Sequence, residues 1–277
     1  FHVTCECSQE CPYCWGPQDI ENPVSTATSK RIIKKIKDIG AKRIVFTGGD
    51  PLNRKDIGKL IRYAKNTGLE VALSTTGDEL TKTFFRLNAA YIDLISLPID
   101  GSTEKISSKT KEAGHLAAVL KALEMLKKHP SIDIKLCTPV TKHNIKDVPN
   151  ILKLAVDFKR KTKSRVFYNL FQTFPRSLGE VDWNKFVVSS RSFGALKRKL
   201  SGRRKIKIKF LDHTTLDKLY LMIFPNGNLV IPEGENFTSF GPFLENEDIN
   251  EIIKQSRFDA PKHLRHSKEW EKRTTKD

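Results

Sequence analysis

Residues 28–51 read TSKRIIKKIKDIGAKRIVFTGGDP, and the fold class turns on this stretch. Ile32, Ile33, Ile36 and Ile39 recur at the three- and four-residue spacing of one helix face, which predicts an amphipathic helix over Thr28–Ile39. Gly40 ends it, because glycine takes the left-handed conformation at a helix C-terminus without a side-chain clash. Arg43–Phe46 is short, β-branched and apolar after its first residue, the pattern of a buried strand. It runs into the loop Thr47-Gly48-Gly49-Asp50-Pro51. Helix, short link, buried strand and glycine loop make one αβ step.

The step repeats in both directions. His2–Thr4 reads as the end of a first strand. Helix Arg54–Lys65 precedes strand Glu70–Ser74, helix Leu80–Leu87 precedes strand Ile92–Leu97, and helix His115–Lys127 precedes strand Ile134–Thr138. Helix Val148–Phe158 then leads to strand Val166–Phe171. Such alternation implies parallel strands joined by right-handed crossovers. Six units are too few to close an eight-fold barrel, so the expected class is α/β, an open (β/α)6 partial TIM barrel with its site at the C-terminal strand ends. Beyond it the rhythm changes: helix Trp183–Leu200, strand Ile206–Leu211, a hairpin over Leu219–Ile231 turning at Pro225-Asn226-Gly227-Asn228, helix Ile249–Gln255, and a polar tail. The expected organisation is a barrel core over residues 1–175 and a C-terminal α+β extension over 176–277 that covers the barrel.

The chain has 277 residues, 38% of them hydrophobic, enough for a substantial core, and contains no apolar run long enough for a transmembrane segment. Phe1 is not a start methionine, so the natural N-terminus is expected upstream. Lys and Arg number 49 against 32 acids, a net charge of +17. That excess points to anionic partners or to a solvated lysine-rich surface, and says nothing of the fold. Five cysteines, four within ten residues, do not make a disulfide framework. Clustered thiols fit a metal held in a reducing compartment, which makes the expected location cytoplasmic.

The segment Cys7-Ser8-Gln9-Glu10-Cys11-Pro12-Tyr13-Cys14 has a CxxxCxxC spacing. Three thiolates on so short a loop can ligate three irons of a [4Fe–4S] cubane and leave the fourth open for chemistry. A structural zinc would call for a second CxxC pair or partner histidines, and Cys137, His115, His143 and His213 are scattered. Cys5 reads as a small apolar residue at the end of the first strand, and as a fourth ligand in the alternative of a closed cluster.

With strand, cysteine loop and βα repeats in that order, residues 1–171 resemble the radical S-adenosylmethionine (SAM) superfamily. The resemblance implies that a single [4Fe–4S] cluster on Cys7, Cys11 and Cys14 binds SAM through the open iron and cleaves it reductively to a 5′-deoxyadenosyl radical. It also implies an electron donor such as a flavodoxin or ferredoxin. Gly48-Gly49-Asp50-Pro51 is similar to the family's GGEP segment, with Asp in place of Glu, and would meet the SAM amine. Ser74 and Thr75 stand where relatives line the SAM pocket, with Thr76 replacing an Asn. Ser96 suits a ribose contact and Asp100 a turn cap; Thr138 and Asn144 suit adenosine, and Tyr13 packs near adenine. Where many relatives carry an Arg for the SAM carboxylate, this chain offers Lys109 or Lys111, a point charge rather than a fork.

For the substrate, the order of elements after the barrel, with Ser256–Asp259 and the tail His266–Trp270, looks similar to viperin-like nucleotide-modifying members. That likeness implies an anionic small molecule, a nucleoside triphosphate, with Lys109, Lys111, Lys121, Lys135 and Lys142 as candidate phosphate contacts. The alternative is modification of RNA or a peptide: residues 197–209, KRKLSGRRKIKIK, carry eight basic residues in thirteen. The non-enzyme alternative is a degenerate SAM-binding scaffold.

Overall fold

The computed structural model describes residues 1–17, 19–20, 22–175, 181–202 and 206–268. Its main sheet holds six parallel strands in chain order: β1 (Arg43–Phe46), β2 (Glu70–Ser74), β3 (Leu94–Pro98), β4 (Asp133–Val140), β5 (Val166–Gln172) and β6 (Lys207–Leu211). The helices are α1 (Thr26–Asp38), α2 (Ile57–Asn66), α3 (Lys82–Asn88), α4 (Glu104–Ser107), α5 (His115–Leu126), α6 (Val148–Arg160) and α7 (Ser190–Leu200). After the short α8 (His213–Leu216) comes an antiparallel sheet of β7 (Met222–Ile223), β8 (Asn228–Glu233) and β9 (Asn236–Pro242), then α9 (Ile249–Gln255) and α10 (Ala260–Lys268). The sheet is open between β1 and β6, as the (β/α)6 reading requires.

Three elements differ from the sequence reading. His2–Thr4 is not a full strand; it keeps a single parallel bridge, His2 to Thr47, before the chain turns into the cysteine loop. The sixth strand comes from residues 207–211, which the reading assigned to the extension. There the alternation KIKFL decides the matter: Ile208 and Phe210 face the helix layer, where Phe210 meets Phe193 of α7 at 6.0 Å, and the lysines face the other way. The single helix expected over Trp183–Leu200 is a 3-10 turn at Trp183–Lys185 followed by α7, because Ser189 caps the second piece by accepting from Ser192 N at 3.2 Å. The hairpin turns where expected, with Gly227 at φ +87°, and gains β9 as a third strand.

Period-two alternation gives the parallel sheet two faces. Ile44, Phe46, Val71, Leu73, Ile95, Leu97, Ile134, Leu136, Val166 and Tyr168 form one core with Ile32 of α1, Leu60 of α2, Val119 of α5 and Ile151 of α6. Each such side chain contributes roughly 1.5–3 kcal/mol on burial. The inner face carries a small apolar floor of Ala72, Leu94 and Phe167, with polar residues above it. Among the described residues, no helix is long and apolar enough to cross a membrane.

Candidate active site

The cysteine loop leaves the first bridge at Thr4 and lies across the C-terminal end of β1. Gly49 N donates to Thr4 O at 2.8 Å and Asp50 N to Glu6 O at 2.7 Å. Side chains are excluded here: a Cβ on Gly49 would fall 2.3 Å from the carbonyl oxygens of Cys5 and Glu6, and one on Gly48 2.3 Å from that of Thr4. The backbone that Gly48 and Gly49 admit is thus the chain's own cysteine loop.

Asp50 is fully buried and serves as a hub. Its carboxylate accepts from Leu52 N at 2.9 Å, from Thr75 Oγ1 at 2.8 and 2.9 Å, and from Thr76 N at 2.9 Å as well as Thr76 Oγ1. The glycine loop, with Pro51 opening a 3-10 turn, is thereby locked to the loop after β2. A second carboxylate, Asp78, was not singled out by sequence; only its place after Gly77 at a strand end hinted at it. Asp78 accepts from Ser8 Oγ at 2.6 Å and Gln9 Nε2 at 2.7 Å, and meets His115 Nδ1 of α5 at 3.0 Å. Burial would raise its pKa, yet the bonds from His115, Ser8 and Gln9 hold it well below the usual carboxylate range. Gln9 Oε1 accepts from Glu112 N at 3.0 Å, so the cysteine loop is stapled on both sides.

The cysteines occupy the centre of this frame. Cys14 N donates to Cys11 O at 3.0 Å, which tightens the loop, and the thiols of Cys7 and Cys11 both lie within electrostatic reach of Cys14. Burial pushes the Cys11 thiol up to about 11, opposed by Lys111, whose Nζ donates to Cys11 Sγ at 2.9 Å. Tyr13 Oη donates to Asp100 Oδ2, as does Thr110 Oγ1 at 3.0 Å. Among the described residues no three Cys, His, Asp or Glu side chains are spaced to grip one ion. A cubane makes a different demand, since each thiolate reaches a separate iron. Three thiols from one loop, two of them within electrostatic reach of the third and one bonded to the half-buried Lys111 ammonium, fit that donor set. Cys5 also feels Cys14, but its thiol accepts from the backbone of Ile20 and is raised by burial.

The inner face of the sheet continues the site. Register places Ser74 beside Ser96, Ser96 beside Lys135, and Pro98 beside Cys137. Cys137 in turn pairs with Asn169 and Asn169 with Lys209. Ser96 Oγ lies 3.3 Å from Cys137 Sγ. From the extension, Tyr220 Oη reaches His266 Nε2 at 3.1 Å and Lys209 Nζ donates to His266 Nδ1. Burial, then the charges of Lys209 and Lys135, pull the His266 pKa down to about 3, so the ring is neutral. An ammonium only donates, hence Nδ1 accepts and the ring proton sits on Nε2, facing Tyr220. Tyr220 packs on Trp15 of the cysteine loop, ring centroids 5.9 Å apart. Sequence named Lys135 among several lysines; Lys209, Tyr220 and His266 come together only in the fold.

Thr138 and Asn144 sit elsewhere than expected. Thr138 lies on the helix-facing side of β4, where Oγ1 donates to Ile99 O at 2.6 Å and meets Tyr168 Oη at 2.9 Å. The β4 residue on the inner face is Cys137, one position earlier, because side chains alternate. Asn144 is buried, with Nδ2 on Asp100 O at 3.0 Å and Pro139 O at 2.9 Å, and Oδ1 on Thr141 N at 2.8 Å. Both hold the loops after β3 and β4 together. Lys109 and Lys121 are exposed, and Lys142 donates to Asn184 O at 2.6 Å. The basic run 197–209 is divided between the end of α7 and β6, while its residues 203–205, like Glu269 and Trp270 of the tail, lie outside the described residues.

A family model described as the radical SAM superfamily matches residues 1–155. The S-adenosylmethionine-dependent nucleotide dehydratase of Flammeovirga pacifica is 25% identical over 88% of this chain and 86% of its own length. The AdoMet-dependent heme synthase of Methanosarcina barkeri is 28% identical over 65% of this chain, which spans about half of that protein, 51%. The crystal structure of Streptococcus suis SuiB bound to S-adenosylmethionine has TM-score 0.68 and 14% identity, covering 95% of this chain and 64% of SuiB, a likeness of fold alone.

Proposed function

This chain belongs to the radical SAM superfamily, whose [4Fe–4S] cluster and SAM are its cofactors, and on that footing we propose that it is an enzyme acting on a nucleoside triphosphate. Cys7, Cys11 and Cys14 hold the cluster, and the strand ends carrying Gly48–Pro51, Ser74, Thr75 and Ser96 receive SAM. Together the cofactors supply hydrogen-atom abstraction. The electron comes from a flavodoxin- or ferredoxin-type donor in a reducing cytoplasm.

The observation that carries the substrate reading is the placing of Lys135 and Lys209, two of the inner-face lysines, beside His266. Lys209 ends the Cys137–Asn169 rung, Lys135 stands one inner-face position earlier on β4, and a neutral His266 holds Lys209 in place. Point charges near the paired rings of Tyr220 and Trp15 suit a phosphate chain attached to a flat base. The end-to-end similarity to a nucleotide dehydratase supports the same class. The RNA reading is weakened because the described residues of the basic run are split between helix and strand, and Lys209 turns inward.

The test is an anaerobic assay of reconstituted enzyme with dithionite and SAM, scoring 5′-deoxyadenosine against separate nucleoside triphosphates, an RNA pool and no substrate. One triphosphate is expected to raise release about tenfold or more over background, and K135M and K209M to raise its KM about tenfold each, the worth of one charged hydrogen bond. Release stimulated by RNA or peptide and by no triphosphate refutes the proposal.

A further inference from the structure

The chain puts a charge where cluster assembly alone does not require one. Lys111 lies in the link between α4 and α5, its backbone fixed by Lys111 N donating to Ser107 O at 3.1 Å. Its Nζ is 2.9 Å from Cys11 Sγ and 5.8 Å from the centroid of the Tyr13 ring. Asp100, at the end of β3, is 1% exposed and takes hydrogen bonds from Tyr13 and from Thr110, the residue before Lys111. Its Oδ1 is buried with no hydrogen-bond partner among the described residues. Asp100 therefore braces both walls of the slot that holds the ammonium.

We propose that Lys111 is a positioning residue for the cluster: a fixed cation, hydrogen-bonded to the sulfur of Cys11, that makes the cluster easier to reduce. This rests on Cys11 being a cluster ligand. Hydrogen bonds to cluster sulfurs and nearby net charge set the potential of such centres, and a positive charge favours the reduced, more negative form. Burial strengthens the effect, because a half-enclosed ammonium is screened less than one in water. A lysine kept only for packing would need neither the sulfur contact nor the aspartate behind it.

The measurement is the midpoint potential of the reconstituted cluster, by mediated titration read in the visible spectrum and by EPR, without SAM. Wild type, K111M and K111R are compared at matched iron content. At the wild-type midpoint, K111M is expected to show a reduced-to-oxidised ratio about tenfold lower, the size suited to one partly shielded charge, or 59 mV for one electron. K111R, which keeps the charge, is expected to stay near the wild-type value. If K111M does not retain iron, K111Q replaces it, keeping an N–H donor without the charge. An unchanged potential in the neutral variant with full iron overturns the proposal. So does a shift that arises only with SAM present, which would assign the lysine to the SAM carboxylate. A wild-type protein that takes up no cluster would instead refute the ligand assignment itself.

Discussion

Replacing Asp50 by Asn keeps the side chain's shape and changes one acceptor oxygen into an NH2 donor. In the folded chain Oδ1 accepts from Leu52 N and Oδ2 from Thr76 N, each at 2.9 Å. Whichever way the amide lies, one of those backbone N–H groups faces another donor. The hydroxyls of Thr75 and Thr76 can rotate to accept from the new NH2, so they add nothing to the loss. One stranded, buried N–H costs about 1–3 kcal/mol, and turning charge-assisted bonds into neutral ones adds about 1 kcal/mol, for a total of about 2–4 kcal/mol. Asp50→Ala strands both N–H groups and opens a small void, and is expected to cost more. Urea unfolding of the anaerobic protein reads the loss. Iron content reads its consequence, because the same loop holds Thr4 and Glu6 by two backbone bonds. A D50N loss under about 0.5 kcal/mol, or one equal to that of D50A, would refute the hub reasoning.

Alanine at Cys7, Cys11 or Cys14 is expected to abolish cluster assembly, while Cys5→Ala and Cys137→Ala leave the iron content nearly intact; loss of iron in Cys5→Ala would mean a fourth thiolate closes the cluster. His266 gives the chain an acid sensitivity. Its folded pKa of about 3 lies below the ordinary 6.5, so between the two the unfolded chain binds the extra proton and stability falls as the pH drops. Replacing it, H266N, is expected to flatten the slope of unfolding free energy between about pH 6 and about pH 4.5 by up to about 1.4 kcal/mol per pH unit. His2, also held near 3 by burial, keeps part of the slope. An unaltered slope in H266N would show that the ring protonates without leaving its place.

The linear chain determined whatever depends on spacing over a few residues. Isoleucines on one helix face, β-branched runs before glycine loops, and three cysteines on eight residues are local patterns, and each corresponds to one physical requirement. They sufficed for the open α/β barrel and for a three-thiolate cluster loop, while SAM followed from the family resemblance these motifs carry. Residues whose role depends on the face they occupy were harder to assign. Thr138 and Cys137 are neighbours on β4, and alternation sends one to Tyr168 and the other to the inner face beside Ser96. In the same way KIKFL passed for part of the extension until pairing with β5 made it the sixth strand.

What only the tertiary structure decided are contacts between residues far apart in the chain. Asp78 joins Ser8 to His115, Lys111 reaches Cys11, and His266 meets Lys209. No spacing rule predicts these pairs, because the distance between their atoms is set by how parallel strands stack their C-terminal ends side by side. Sequence supplies the chemical groups; the crossovers bring them within reach of one another.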